Sequence, residues 1–140
     1  MTVAPTISVV AALIRDPDGR VLLVRKRNTA AFMQPGGKRD AGEDDVTALA
    51  REIDEELGCR VVGGSVRALG EFETVAANEP GFRVHAAVYA VDVSGDIVPK
   101  AEIDEMIWVD PARPPAIHLA PLTRDHVLPL AVAGGAAEHD

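Results

Sequence analysis

Apolar and polar positions fall into blocks that predict strands around one strongly patterned helix. Ile7–Ile14 is apolar and rich in β-branched residues, and Val21–Val24 is a second apolar run. Between them lies Asp16-Pro17-Asp18-Gly19, whose Pro and Gly suit a tight reversal, so the two runs read as a β-hairpin. Phe32–Gln34 reads as a short strand stopped by Pro35-Gly36-Gly37. Over residues 44–57 the period changes: Val46, Leu49, Ala50, Ile53 and Leu57 share one arc at about 100° per residue, which predicts a helix. Gly58 stands where a helix end favours a left-handed residue. Val66–Val75 and Phe82–Val93 read as further strands joined by Asn78-Glu79-Pro80-Gly81, and Ile103–Val109 as another. Leu122–Val132 reads as a closing helix that Pro129 must kink or end. Strands on both sides of a helix predict a mixed α/β or α+β layered fold.

Length and composition narrow this picture. At 140 residues the chain is read as a single domain over 1–140. It shows no internal repeat, linker or low-complexity tract before the Pro-rich stretch at 111–121. A share of 47% hydrophobic and 26% charged residues is that of a globular protein, and with 4% aromatics Val, Ala, Leu and Ile must fill the core. The formal charge of -8 opposes a long phosphate backbone and so argues against a DNA or RNA polymer partner. A small phosphorylated ligand stays open, given a metal ion or a local basic cluster. One cysteine, Cys59, allows no intrachain disulfide and no Cys-rich zinc site. The opening MTVAPTISVV lacks a basic n-region, and no apolar run nears the ~20 residues of a membrane span, so no membrane and a cytoplasmic address are expected.

The helix carries an arrangement that stability alone does not favour. Glu52, Glu55 and Glu56 stand at i, i+3 and i+4 and form one carboxylate stripe. Like charges at such spacings destabilise a helix by roughly 0.2–0.5 kcal/mol per pair. Glu55 and Glu56 also occupy the last turn, where the macrodipole disfavours anions. A hard divalent cation against the stripe accounts for both features, because Mg²⁺ and Mn²⁺ prefer carboxylate oxygens. Taken alone, three glutamates read better as a solvated acidic face. Arg51 falls on the flank of the stripe beside Glu55, where its guanidinium can hold a carboxylate bidentately.

The surroundings change that balance. Gly37, five residues, Glu43, seven residues, then Arg51-Glu52-Ile53-Asp54-Glu55-Glu56-Leu57-Gly58-Cys59 resembles the signature of the Nudix hydrolases, G-x5-E-x7-R-E-U-x-E-E-x-G-U with U a bulky aliphatic residue. All seven fixed positions match over 23 residues, and the one departure is Cys59, which packs as a small hydrophobe. The resemblance implies a Nudix-type α/β/α sandwich around a mixed β-sheet and a loop–helix–loop holding Mg²⁺ (or Mn²⁺). It implies that Glu52, Glu55 and Glu56 are metal ligands, with Glu52 first candidate for the base, and that Glu43 and Arg51 position the loop, with Glu43 occasionally near the metal. The implied activity is metal-dependent hydrolysis of a diphosphate linkage in a nucleoside di- or triphosphate or a nucleoside diphosphate derivative, by water attack on phosphorus. The MutT-like branch is the nearest, which points to an oxidised or ordinary nucleoside triphosphate.

Other candidates lie outside the stripe. Gly36 and Gly37 would let backbone approach the metal or phosphates, a role compatible with a plain turn after Pro35. Arg25, Lys26 and Arg27 end the second strand, where they either meet substrate phosphate or are simply solvated; Arg27 is taken as the substrate contact. Phe32 and Gln34 precede the glycines, where MutT-like members contact the base. Family members often add one loop Glu, as ligand or base; among Glu79, Glu102 and Glu105, Glu102 has the MutT-like spacing of six residues before Trp108. Glu105 is assigned to structural contacts. His85 and Trp108 read as structural, and His118, His126 and His139 share no ligand spacing. A homodimer is left open. The rival readings are a non-catalytic nucleotide-binding or regulatory module, which would be expected to have lost box carboxylates, and a passive acidic scaffold.

Overall fold

A computed structural model describes residues 5–138, with side chains through residue 133; His139 lies outside the described residues. Strands β1 (Thr6–Leu13), β4 (Gly36–Lys38), β6 (Arg67–Val75) and β7 (Arg83–Ala90) form a mixed sheet in the order β4-β1-β7-β6. Within it β1 runs parallel to β7, and the other pairs are antiparallel. Strands β2 (Val21–Lys26), β3 (Phe32–Met33) and β9 (Ile103–Val109) form an antiparallel sheet in the order β3-β2-β9. A small pair joins β5 (Arg60–Val61) to β8 (Val93–Ser94).

The unbroken apolar runs of β1 and β2 are explained by burial on both faces. Val10, Ala12 and Ile14, with Leu22 and Val24, pack on one side against Ala48, Leu49, Ile53 and Leu57 of helix α1 (Asp45–Leu57). Ala11, Leu13, Val21 and Leu23 point to the other side, where Val127, Leu128 and Ala131 of the C-terminal helical segment cover them. One helix on each side of the strands gives the expected α/β/α sandwich. Among the described residues no helix is long and apolar enough to cross a membrane.

The turn at Asp16–Gly19 forms as expected: the Asp16 carboxylate accepts from the Asp18 and Arg20 N–H groups, and Gly19 takes φ 82°. The hairpin beyond it does not. After the Arg15–Val21 bridge β1 and β2 part into different sheets, each flanked by other partners. An apolar run specifies how many faces are buried and leaves the identity of the neighbouring strand open.

Two further expectations change and a third is narrowed. The strand expected over Phe82–Val93 breaks after Ala90, and the chain resumes at Val93 to pair with β5. Of the two outcomes expected at Pro129, the helix does not end there: a π-helical turn at Thr123–Val127 precedes α2 (Leu128–Glu138), and the Leu128 N–H bonds to the Thr123 carbonyl. That wider turn shifts the ladder just where the proline ring would collide with the preceding turn. The buried face of α1 is also rotated from the apolar arc. Val46 is 49% exposed, whereas Ala48 and Glu56 are buried. The Gly58 cap holds as read, left-handed at φ 67°, and at the other end the Asp44 side chain accepts from the Thr47 N–H.

Candidate catalytic site

The rotation of α1 turns its glutamate face toward β4, and β4 consists of two glycines and a lysine. Gly36 has φ 149°, and a Cβ there would fall 2.1 Å from the Val10 carbonyl oxygen. A Cβ on Gly37 would fall 2.5 Å from the Glu52 carboxyl group. The Gly36 N–H instead donates to Glu56 Oε1 at 3.1 Å. Bare backbone therefore receives two of the three stripe carboxylates.

Arg51 ties the loop after β4 to the helix. Its Nε and Nη2 donate to the two oxygens of Glu43, each at 2.8 Å, and Nη2 also reaches the Lys38 carbonyl at 3.0 Å. Nη1 meets Glu52 Oε1 at 2.9 Å and Glu55 Oε2 at 3.3 Å. The paired guanidinium, with the Asp40 N–H, holds the Glu43 carboxyl down at about 2, and the same contacts raise the Arg51 pKa. A second brace lies behind the first. Arg39 donates to Asp45 at 2.5 Å and to Ser8 Oγ at 2.8 Å, and the Tyr89 hydroxyl donates to the other Asp45 oxygen. Sequence reading missed this Ser8–Arg39–Asp45–Tyr89 brace, whose members come from β1, the loop, α1 and β7; the only local signal was an acidic residue in the first helical turn.

The carboxylates open onto a cavity of about 540 Å³, lined by Glu52, Glu55, Glu56 and Glu102 together with Lys26 and Lys38. Ile7, Val9, Met33 and Val84 supply an apolar part of the lining, and residues 74–79 and 120–122 complete it. Burial pushes the Glu56 carboxyl up to about 7, against the Gly36 N–H and the charge of Lys26, which favour its ionised form. Burial raises Glu52 as well, despite the Arg51 hydrogen bond. All-oxygen donors that ionise at a cost when buried suit a hard divalent cation. Among the described residues no three acidic, His or Cys side chains converge closely enough to grip an ion as they stand. Glu52 is drawn to Arg51 and Glu56 to Gly36, so closing on an ion requires side-chain rotation.

The NUDIX domain family matches residues 5–131, which include the whole segment 37–59. The chain belongs to the Nudix family. It is 40% identical over 113 residues to the octanoyltransferase of Myxococcus xanthus, covering 75% of this chain and 30% of that protein. It is 37% identical over 71 residues to the 8-oxo-dGTP diphosphatase of Haemophilus influenzae, covering 48% of this chain and 52% of that one. The chain thus spans about half or less of the length of these curated relatives. The crystal structure of a MutT protein from Methanosarcina mazei Go1 superposes with a TM-score of 0.74 at 25% identity, covering all of both chains.

The Nudix residues expected from sequence separate into two groups. Gly36, Gly37, Gln34, Glu52, Glu55, Glu56, Glu79 and Glu102 meet at the cavity. Gln34 is buried and accepts a 2.6 Å bond from Thr123 Oγ1. Arg27 and Phe32 are not among the lining residues: the Arg27 guanidinium donates to the Ala101 carbonyl, and Phe32 packs into the core beneath α2. Lys26 lines the cavity instead, next to a bulge where Arg25 pairs with Glu105 but Lys26 with Ile103. Arg25 is held by Asp104, Glu105 and the Thr29 carbonyl, which leaves Glu105 in structural contacts. His85 pairs with Glu71 at 3.1 Å, His126 stacks on Phe72, and Trp108 packs against the α1-side core. Cys59 is buried in that same core. Lys38 was overlooked, although it directly follows the glycine pair.

Proposed function

We propose that the chain is one Nudix domain over residues 1–140 that hydrolyses a diphosphate linkage in a nucleoside di- or triphosphate or a nucleoside diphosphate derivative. The observation that carries this reading is the cavity in which Glu52, Glu55, Glu56 and Glu102 face the same space as Lys26 and Lys38. We assign Glu52, Glu55 and Glu56, with Glu102 as a fourth carboxylate, to hold Mg²⁺ or Mn²⁺. Bound there, the ion would offset diphosphate charge and lower the pKa of an attacking water.

The side chains divide the remaining work. Lys26 and Lys38 offer ammonium groups to phosphate oxygens. Glu52, whose carboxyl burial shifts upward despite the Arg51 hydrogen bond, is the base that takes the water proton. Arg51 holds Glu52 and Glu55 in place and does not itself meet the substrate. Gln34, fixed through Thr123, and the aliphatic wall at Ile7, Val9 and Val84 receive the non-phosphate moiety. The likeness to an 8-oxo-dGTP diphosphatase makes oxidised and ordinary nucleoside triphosphates the first substrates to try. We place the activity in the cytoplasm, on a free nucleotide rather than a nucleic-acid polymer.

The test is a nucleotide panel with Mg²⁺, Mn²⁺ or chelator, with phosphate measured after coupling to pyrophosphatase or phosphatase. In water labelled with heavy oxygen the label is expected on a phosphate product. Turnover confined to phosphomonoesters or carboxylic esters overturns the reading.

A further inference from the structure

The loop that brings Glu102 to the cavity is bracketed from two sides. On the inner side it caps the last turn of α1: the Val98 N–H donates to the Leu57 carbonyl and the Lys100 N–H to the Glu56 carbonyl, each at 2.8 Å. The Lys100 side chain lies over Gly58, where an added Cβ would meet its Cδ at 3.0 Å. On the outer side stands the end of β2. The Arg27 N–H donates to the Glu102 carbonyl at 2.7 Å, and the Arg27 guanidinium to the Ala101 carbonyl at 3.0 Å. Between the two brackets Ala101 adopts φ 52°, a left-handed conformation that costs a residue with a Cβ steric energy. The Ile103 N–H closes the turn on the Lys100 carbonyl at 3.0 Å. Glu102 sits at the crest of this turn, lines the cavity, and is felt electrostatically by Glu56.

We propose that Arg27 is a positioning residue whose guanidinium, by gripping the Ala101 carbonyl, holds the left-handed turn that presents Glu102 to the carboxylates of α1. The inference rests on the reading of Glu102 as part of the cation site. It departs from a direct phosphate contact, because Arg27 is absent from the cavity lining while its neighbour Lys26 is present. The sign of the effect separates the clamp from plain electrostatics. Removing a positive charge near a cation site strengthens cation binding by Coulomb's law; releasing a clamp on a ligand carboxylate weakens it.

The experiment measures Mn²⁺ binding to the full chain, with no nucleotide, by calorimetry and paramagnetic resonance. It compares the parent with Arg27→Met, Arg27→Lys, Glu102→Gln, Glu56→Gln and the Arg27→Met/Glu102→Gln double variant. Arg27 is exposed, and thermal unfolding of each variant verifies that the fold is kept. Arg27→Met is expected to weaken Mn²⁺ binding about tenfold, and Arg27→Lys to recover part of the loss. The double variant is expected to bind no more weakly than Glu102→Gln alone, because both changes act through one carboxylate. Arg27→Met binding as tightly as the parent, or more tightly, overturns the clamp, as does full additivity in the double variant. Unchanged binding by Glu102→Gln overturns it too, since the clamp then has no ligand to present. Failure of the cation site itself shows up separately, as a Glu56→Gln variant that binds Mn²⁺ like the parent.

Discussion

The Glu52 carboxyl group occupies the space into which a side chain on Gly37 would grow, 2.5 Å from the position of its Cβ. Gly36, one residue earlier, is closed off by something rigid, the Val10 carbonyl oxygen at 2.1 Å. Adjacent glycines thus differ in what enforces them: at Gly37 the far end of the Glu52 side chain, at Gly36 the backbone of the neighbouring strand.

Gly37→Ala is therefore expected to keep the fold and lose the activity. The Glu52 carboxyl group moves aside, stability changes by less than about 1 kcal/mol, and turnover falls at least about tenfold. Gly36→Ala meets backbone and a positive φ together, and is expected to cost about 3 kcal/mol or more. Thermal unfolding and kcat measured on both variants decide. Equal destabilisation by the two would contradict the distinction.

The brace behind the site makes a spectroscopic prediction. Tyr89 is the only tyrosine in the chain, so one ultraviolet titration follows one phenol. Its hydroxyl donates to Asp45, and loss of that proton would leave two anions facing each other, so its pKa is pushed up to about 12. Asp45→Asn is expected to bring the midpoint back toward the ordinary value near 10. Tyr89→Phe should cost about 1–2 kcal/mol, because it removes a hydrogen bond to a charged group. A native midpoint that Asp45→Asn leaves in place would remove Asp45 as the cause.

Glu43→Gln tests whether Arg51 needs its fork. Glu43 accepts both guanidinium bonds at 2.8 Å, and the neutral amide can accept at one atom only. Turnover is expected to fall about tenfold, with Arg51 no longer steering Glu52 and Glu55. The parent's Glu43 contribution to stability is present above the ordinary carboxyl pKa of 4.5 and fades as pH falls through about 2; Glu43→Gln should therefore lack that acid dependence. Parent-like kcat at saturating Mg²⁺ would make the fork dispensable.

What was legible in the sequence was what lies close along the chain. The carboxylate stripe, the Gly58 cap and the Asp16–Gly19 turn depend on spacings of four residues or fewer, and each takes the expected place. Glu102 was separable from Glu105 by its distance from Trp108, and the two do part, one to the cavity and one to Arg25. The misreadings are non-local. Lys26 replaces Arg27 at the cavity beside a bulge set by the pairing with β9, which no pattern within β2 reveals. Val46 sits on the apolar arc yet is exposed, because the buried face is set by where β4 lets α1 approach. The separation of β1 from β2 and the β5–β8 pair belong to the same class.

The last prediction concerns the protein without a divalent ion. Glu56 is 7% exposed, and burial raises its carboxyl from 4.5 to about 7. Between those values the folded state holds a proton that the unfolded state has released, so stability is fully present below about 4.5 and declines as pH rises through about 7. The loss is on the order of 3 kcal/mol if Glu56 acts alone, and Glu52, also raised by burial, adds in the same direction. Glu56→Gln carries no such proton, so it is expected to flatten this slope and to match or exceed the parent's stability above neutral pH in chelator. It should also lower turnover by orders of magnitude. Adding Mg²⁺ to the parent requires Glu56 ionised, so binding near pH 6 is expected to release protons, and the stabilisation by the ion to grow as pH rises. Chemical denaturation at a series of pH values, with chelator and with Mg²⁺, measures both slopes. A parent whose metal-free stability stays level from pH 5 to 8 would mean that Glu56 ionises without cost, and with that the buried carboxylate would lose its reason to recruit a cation.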